Sequence, residues 1–437
     1  MSRRSTRVFL ATAALVVLVF VTSALFAPKP GVENATGGPE SMTVVGLQGS
    51  GTGLQGGGQA VGLSPGGDRE WGVTDANSYF DVTPLGDGRY LAAFMSGQYG
   101  DCEPYSAPCA HTGFRILDPS RAGSAAVVSE YSFPVRNRTD SEVHAAAPLE
   151  DGTVVFADMD RERVAVVAPD NGTVLWQWNA SSFYEAPPDP TRRDWLHIND
   201  VDPLGDGRFL VSVRNANQLL VLQRGEGVVQ VINADPGGSD SSCLRSGQLY
   251  DASGDGDVRC GDPTLIDHQH DPQWLGDGAV LVADSDNNRV VELHRENGTW
   301  HQAWVSTGAN DIHYSWPRDA DRLPNGHTLV TDSLNDRVVE VTESGQAVWS
   351  ATTDENPYDA ERLPHGEQVG GPTYERQAGA ADQSGGTIPV LTRLTHILKF
   401  TFPLPTWFSE RHTLILIAAV VVGVAGLADA IYSRLRG

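Results

Sequence analysis

The residues best able to do chemistry lie in DWLHINDVDPLGDGRFLVSVRNANQLLVL, residues 194 to 222, which carries His197, Asn199 and Arg214. A guanidinium presents a planar fork of donors that suits sulfate, phosphate or carboxylate. An imidazole serves as base or nucleophile near pH 7. His144, His197, His270 and His313 each stand five to ten residues before the Leu of an L-x-D/N-G phrase. Four histidines at equivalent positions point to one shared site. The candidate catalytic set is therefore His270, His197, His144 and Arg214, with Asn199, His313 and Arg318 as substrate contacts. His268, two residues before His270, is expected to be structural.

The elements that must position these groups are written as a repeat. The anchors are Leu85, Leu149, Leu204, Leu275, Leu323 and a looser Leu363. After each well-formed anchor come a β-branched run, a polar turn and a second alternating run, as in AVLVAD-SDNN-RVVEL and HTLVTD-SLND-RVVEV. Asp-Gly and Asn-Gly between alternating apolar residues read as hairpins. Three copies add a strand ending in Trp176, Trp304 or Trp349, which makes about four strands per unit and fits a β-propeller blade. The fold expected is all-β, a six-bladed β-propeller over residues 68–385, flanked by N- and C-terminal transmembrane helices. The first strand of a blade is innermost, so its entrance borders the central channel. Where other copies have Asp158, Asp284 and Asp332, one has Val213, and Arg214 stands where they have Met159, Ser285 and Ser333. A structural repeat has no need of that exchange, whereas an oxyanion site does.

His197-Ile-Asn199, then Ser212-Val-Arg214, then Gln269-His270-Asp271 in that order resemble the arylsulfotransferase family of six-bladed propellers, over roughly residues 140 to 345. The resemblance implies sulfuryl transfer from an aryl sulfate donor to a phenol acceptor without a nucleotide sulfate or other cofactor. His270 would carry the group as sulfohistidine, with Arg214, His197 and Asn199 on its oxygens and His144 handling the phenol proton. The family commonly has His after the Arg, where this chain has Asn215. Two readings from other classes use the same residues. Three imidazoles on a propeller axis can ligate zinc, as in amidating-lyase propellers. A non-catalytic surface propeller would use His and Arg to bind an anionic ligand.

One insert has its own signal. Asp251, Ser253, Asp255, Asp257 and Asp262 are spaced like the oxygen ligands of an EF-hand loop, with Gly256 at the sharp turn, although flanking helices and a terminal Glu are missing. The alternatives are a structural calcium site and an acidic loop closed by a disulfide.

Composition gives the setting. The 437 residues include 55 acidic and 31 basic ones, a net charge of -24, with Lys29 and Lys399 the only lysines. That balance excludes nucleic acid as a partner, since a phosphate backbone requires a basic footprint. Dense carboxylates read as a solubility adaptation to concentrated salt. Val8 to Ala27 and Thr413 to Ile431 are apolar runs near the ~20 residues needed to cross a bilayer, with Arg flanking both outer ends. The positive-inside tendency places both termini in the cytoplasm and the middle outside the cell; a cleaved signal peptide is the rival for the first run. Sequons at Asn34, Asn137, Asn171, Asn179 and Asn297, and local pairing of Cys102 with Cys109 and Cys243 with Cys260, agree with an outside location. The organisation expected is an anchor over 1–27, a flexible Gly/Ser-rich tether over 28–67, the propeller, a juxtamembrane amphipathic segment over 386–412 lying along the membrane, and a span over 413–432.

Overall fold

The computed structural model describes residues 3–28, 41–49, 57–121, 126–235, 249–366, 368–380, 388–402 and 404–436. Helix α1 (Arg3–Leu25) precedes three strands, β1 (Thr43–Gln48), β2 (Gln59–Leu63) and β3 (Arg69–Val73). Next come β4 (Ser78–Pro84), β5 (Tyr90–Tyr99), β6 (Cys109–Leu117) and β7 (Val127–Val135), then β8 (Ala146–Pro148), β9 (Val154–Asp158), β10 (Arg163–Ala168) and β11 (Thr173–Asn179). The third set is β12 (Ile198–Gly205), β13 (Arg208–Val213), β14 (Gln218–Gln223) and β15 (Gly227–Ile232). The fourth is β16 (His270–Gly276), β17 (Ala279–Asp284), β18 (Arg289–Glu296) and β19 (Thr299–Ser306). A small hairpin, β20 (Gly308–Ala309) and β21 (Ile312–His313), leads to β22 (Pro317–Arg322), β23 (Thr328–Asp332), β24 (Arg337–Val341) and β25 (Ala347–Thr352), and β26 (Asn356–Arg362) follows.

Each set is antiparallel and pairs in sequence order; the last four are separate four-stranded sheets, while β4–β7 continues into the strands of the sixth unit through the single pair Gln48↔Ser78. The sixth is assembled from both ends: β26 pairs with β1 from Thr43↔Arg362 to Gln48↔Asn356, and β1 pairs with β2 and β2 with β3. The six first strands β4, β8, β12, β16, β22 and β26 are neighbours in turn, with β8 reaching β4 through β5. Each hydrophobic cluster joins two adjacent sheets. One packs Val211 and Phe209 on Val155 and Trp178, another sets Leu281 against Val330 and Val339, and the last two place Val44 on Tyr79 and Val45 on Leu329. Apolar burial at sheet faces therefore closes a propeller-like ring, and no sheet has a core of its own.

Three expectations are corrected. Residues 28–67 are not a continuous tether, because β1 and β2 lie within that range and are buried along most of their length. Their short β-branched runs, TVVGLQ and QAVGL, sit among glycine-rich stretches that masked them. The propeller does not begin at residue 68, since the outer strands of its sixth unit, whose anchor is the looser Leu363, come from the N-terminal side and include β1 and β2; residues 388–402 contribute helix α2 (Pro389–Thr401). Only one described helix, α3 (Glu410–Arg436), contains a stretch long and apolar enough to cross a membrane, Glu410–Asp429, while α1 offers the shorter Ala11–Leu25. The two helices pack together, with the Phe20 ring 5.9 Å from Trp407 and Ser23 Oγ 2.9 Å from His412 Nε2.

Cys102 and Cys109 form the expected disulfide. Cys243 and Asn34 lie outside the described residues, and the other four sequon asparagines are exposed.

Candidate functional site

The repeat turn explains how one sheet is specialised. Asp158, Asp284 and Asp332 end the second strand of their sheets and each accepts from the Arg that starts the third, Arg163, Arg289 and Arg337, at 2.8, 2.6 and 2.8 Å. In the third sheet the same register holds Val213 opposite Gln218. With the carboxylate gone, its arginine partner is gone too, replaced by Gln218, and an arginine stands instead directly after Val213, as Arg214 in a short 3-10 turn. Asn215 takes over the anchoring. Its Oδ1 accepts from Arg214 Nη1 at 2.9 Å and its backbone N–H donates to Leu196.

Arg214 lines a cavity of about 280 Å³ together with His144, His197, His270, Arg318, Trp316, Glu142, Asp194, Asp140, Thr139, Gln48 and Phe400. Thr139 also borders a wider groove of about 740 Å³ beside the disulfide loop, lined by Tyr105, Arg136 and Arg138. Five of the seven expected residues therefore meet. Asn199 and His313 do not line the cavity. Asn199 is buried, and its Nδ2 donates to the Gln269 carbonyl at 2.9 Å, so it fixes the strand entering His270. His313 is exposed on β21, because its ten-residue spacing to Leu323 sets it back from the start of β22 into the extra β20–β21 hairpin.

His270 is buried, and its Nδ1 lies 2.8 Å from Ser285 Oγ. That hydroxyl has one proton and donates it to the Pro317 carbonyl at 2.7 Å. Ser285 therefore accepts from His270, which fixes the Nδ1–H tautomer and leaves the Nε2 lone pair for chemistry. Burial, then Arg318 and Arg214, hold the imidazole well below its usual value and keep it neutral.

His197 adopts φ 56° at the mouth of its strand. Buried Glu162 holds this turn, its Oε1 accepting from the backbone N–H groups of Trp195, Leu196 and His197 at 2.8–3.0 Å. Asp194 receives His197 Nδ1 at 3.1 Å and so orients the ring. Burial alone would raise Asp194, but His197 holds its carboxyl below the ordinary range.

His144 is buried between Phe80, 4.5 Å away, and Tyr358, 4.8 Å away, and its Nδ1 lies 2.8 Å from the Tyr358 hydroxyl. Its Nε2 is buried without a partner. Burial pushes His144 well below the usual histidine range and Tyr358 well above the usual phenol range. Arg318 stacks 4.1 Å from the Trp316 ring centroid and 4.8 Å from that of Tyr358, and bonds Gln48 of β1.

Glu142 went unnoticed in the sequence, where it is one acid among many. It is buried in the cavity, accepts from the Ser141 N–H at 2.7 Å, and is pushed up to about 8 by burial. A neutral carboxylic acid in the same cavity as His270 is a proton donor at pH 7.

The metal readings fare differently. Among the described residues, the groups able to hold an ion are carboxylates, Asp200 with Asp202 and Asp271, and Asp271 with Asp319 and Asp359. The three imidazoles do not form such a group. In the insert, Asp251 accepts from Ser253 Oγ and from the N–H groups of Gly254 and Gly256, Asp255 from the Asp257 N–H, and Asp262 from Thr264, so these oxygens hold turns. His268 stands ahead of β16 at φ 47°, its Nδ1 lying 2.7 Å from Asp286.

No curated protein matches the chain. Similar solved structures include a protein of unknown function from Bacteroides caccae, 12% identical over 75% of this chain and 99% of that one, with a TM-score of 0.47. The periplasmic gluconolactonase of Pseudomonas aeruginosa is 16% identical over 76% of this chain and 88% of that one, with a TM-score of 0.41. A putative 6-phosphogluconolactonase from Bacteroides fragilis is 11% identical over 76% of this chain and all of that one, also with a TM-score of 0.41. Residues 186–354, which carry His197, Arg214, His270 and Arg318, match the arylsulfotransferase (ASST) family model, and this match supports a sulfotransferase-like function at the level of the family.

Proposed function

We propose that the cavity transfers a sulfuryl group from an aryl sulfate to a phenol through His270. The observation that carries this reading is the Pro317–Ser285–His270 relay, which presents a neutral imidazole with its Nε2 lone pair beside Arg214 and Arg318. In the first half-reaction Nε2 attacks sulfur, the S–O bond to the aryl group breaks, and the leaving phenolate takes the proton of Glu142. In the second, the acceptor phenol gives its proton to the Glu142 carboxylate as its oxygen attacks sulfur, and the S–N bond pair returns to Nε2. Arg214, Arg318 and His197 donate to the sulfuryl oxygens as charge shifts toward the phenolate. The acid role passes from His144 to Glu142, because a neutral imidazole is a weak acid. Tyr358 donating to Nδ1 leaves His144 an Nε2–H that hydrogen-bonds the reacting oxygens.

The test is release of nitrophenol from 4-nitrophenyl sulfate by the full chain in high salt, with phenol as acceptor. Acceptor-dependent release that His270→Ala lowers by about 10³-fold or more is expected. No release from folded wild type, or equal release from His270→Ala, would overturn the reading.

A further inference from the structure

Helix α2 wears its polarity inside out. Thr392, Thr395, His396 and Lys399 are buried, whereas Val390, Leu394, Ile397 and, just past the helix end, Phe402 are among the exposed large apolar residues, with Arg393 the exposed charge among them. The buried polar groups are all engaged. His396 Nε2 lies 2.9 Å from Asn288 Oδ1, Lys399 Nζ donates to Asn335 Oδ1 at 2.6 Å, and Thr395 bonds Thr413 of α3 at 2.8 Å. Asn288 and Asn335 are turn residues of the repeat, next to Arg289 and within two residues of Arg337, so the helix is seated on the sheet ends that ring the cavity. Its ring contacts reach inside. His396 stacks on Trp316 with centroids 5.8 Å apart, Phe400 meets Trp316 edge-on at 6.4 Å, and both Trp316 and Phe400 line the cavity. The other lining residues are polar, so these two rings supply its apolar wall.

A helix beside water buries its apolar stripe and exposes its polar one. The reverse arrangement is stable where the outer medium is hydrocarbon, and α2 runs within nine residues into the apolar stretch Glu410–Asp429. From the continuity of that stretch with the exposed stripe, we propose that α2 lies in the membrane surface as a lid over the cavity. Val390, Leu394 and Ile397 sit in lipid, and Phe400 touches the substrate. Resting on the sulfuryl-transfer reading, the acceptor is a membrane-resident amphiphile whose phenolic hydroxyl enters between Phe400 and Trp316 while its apolar chain stays in the bilayer.

The test uses the full chain in phosphatidylcholine vesicles. None of the described cysteines is free, so Leu394→Cys or Ile397→Cys supplies the reactive thiol for bimane, with unsubstituted protein as the labelling blank. Quenching by lipids brominated on the acyl chain is expected at both positions and not at the exposed control Asp277→Cys. Absence of quenching at 394 and 397 overturns the lid. In the same vesicles, nitrophenol release is compared with phenol and with 4-hexadecylphenol as acceptor. Half-maximal release is expected at a bulk concentration at least about tenfold lower for the long-chain phenol. Leu394→Glu/Ile397→Glu is expected to reduce that preference. Equal use of the two acceptors overturns the amphiphile assignment. Release with neither makes that assignment fall together with the sulfuryl-transfer reading, while the quenching judges the lid by itself.

Discussion

At the scale of single residues, the site is a set of neutral groups held among fixed charges. Ser285 is the hinge of that arrangement, since its one proton decides which nitrogen of His270 is free. Ser285→Ala is expected to leave the fold intact and lower kcat by about 10- to 100-fold through a mixed tautomer, with KM little changed, as steady-state kinetics would show. Glu142 makes a prediction in pH. Its carboxyl is pushed up to about 8, above the ordinary carboxyl range, so folding favours the neutral form. The associated stability is complete below the unfolded value and is lost as pH rises through about 8. The thermal midpoint should therefore fall between about pH 4.5 and pH 8, and Glu142→Gln should reduce that fall. It should not abolish it, because burial also raises Glu162 to about 8. The same substitution should remove the alkaline limb of the rate of aryl sulfate cleavage. His270, His197, His144, Arg214 and Arg318 were legible because imidazole and guanidinium stand out against a chain poor in bases. Glu142, Asp194 and Tyr358 were not, because an acid in an acidic chain or a tyrosine in a β-strand gains its role only from what buries it.

At the scale of elements, the repeat turn is the unit of construction. Each Asp–Arg pair ties the end of a second strand to the start of a third within the same sheet, and the pairs at Asp284 and Asp332 are fully buried on the acidic side. Asp332 also accepts from the Ser315 N–H at 2.7 Å and from Asn335 at 2.7 Å, so three donors depend on it. Asp332→Ala would leave the Arg337 guanidinium buried and unpaired, and should cost about 3–5 kcal/mol in chemical denaturation. The hairpins themselves were readable from Asp-Gly and Asn-Gly between alternating residues. Their outer partners were readable where a Trp ended the strand. The β20–β21 hairpin was not, since two-residue strands carry no period, and this is why His313 looked equivalent to His270. Helix α2 was legible as a helix through Leu391, Leu394, Ile397 and Leu398. Its polar face against the sheet ends was hidden, because only the fold brings Asn288 and Asn335 to His396 and Lys399.

At the scale of the molecule, the ring is held shut by a strand more than 300 residues distant in sequence from its partner, Thr43 of β1 facing Arg362 of β26. Sequence periodicity reports neighbours along the chain, so six units were countable while the closing pair was not. β1 does more than fill a sheet. Its Gln48 pairs with Ser78 of β4 and its side chain reaches Arg318 in the cavity, so closure and site are built by the same strand. The tightest point of that closure is Gly46, where an added Cβ would stand 1.5 Å from the Phe80 carbonyl oxygen of β4. A backbone atom cannot swing aside as a side chain does, so β1 or β4 must shift and the junction between sixth and first sheets must loosen. Gly46→Ala is therefore expected to lower stability by at least about 1–3 kcal/mol, the usual range for overpacking. Gly57→Ala, with nothing within 4 Å of the added carbon, should leave stability nearly unchanged. Hydrogen exchange locates the effect. Amides of β1, β4 and β26 should exchange faster in Gly46→Ala while those of β16, β17 and β18, across the ring, keep their protection. Uniform acceleration of all six sheets would instead show that the ring opens only as one cooperative unit, with no seam at the N-terminal strand.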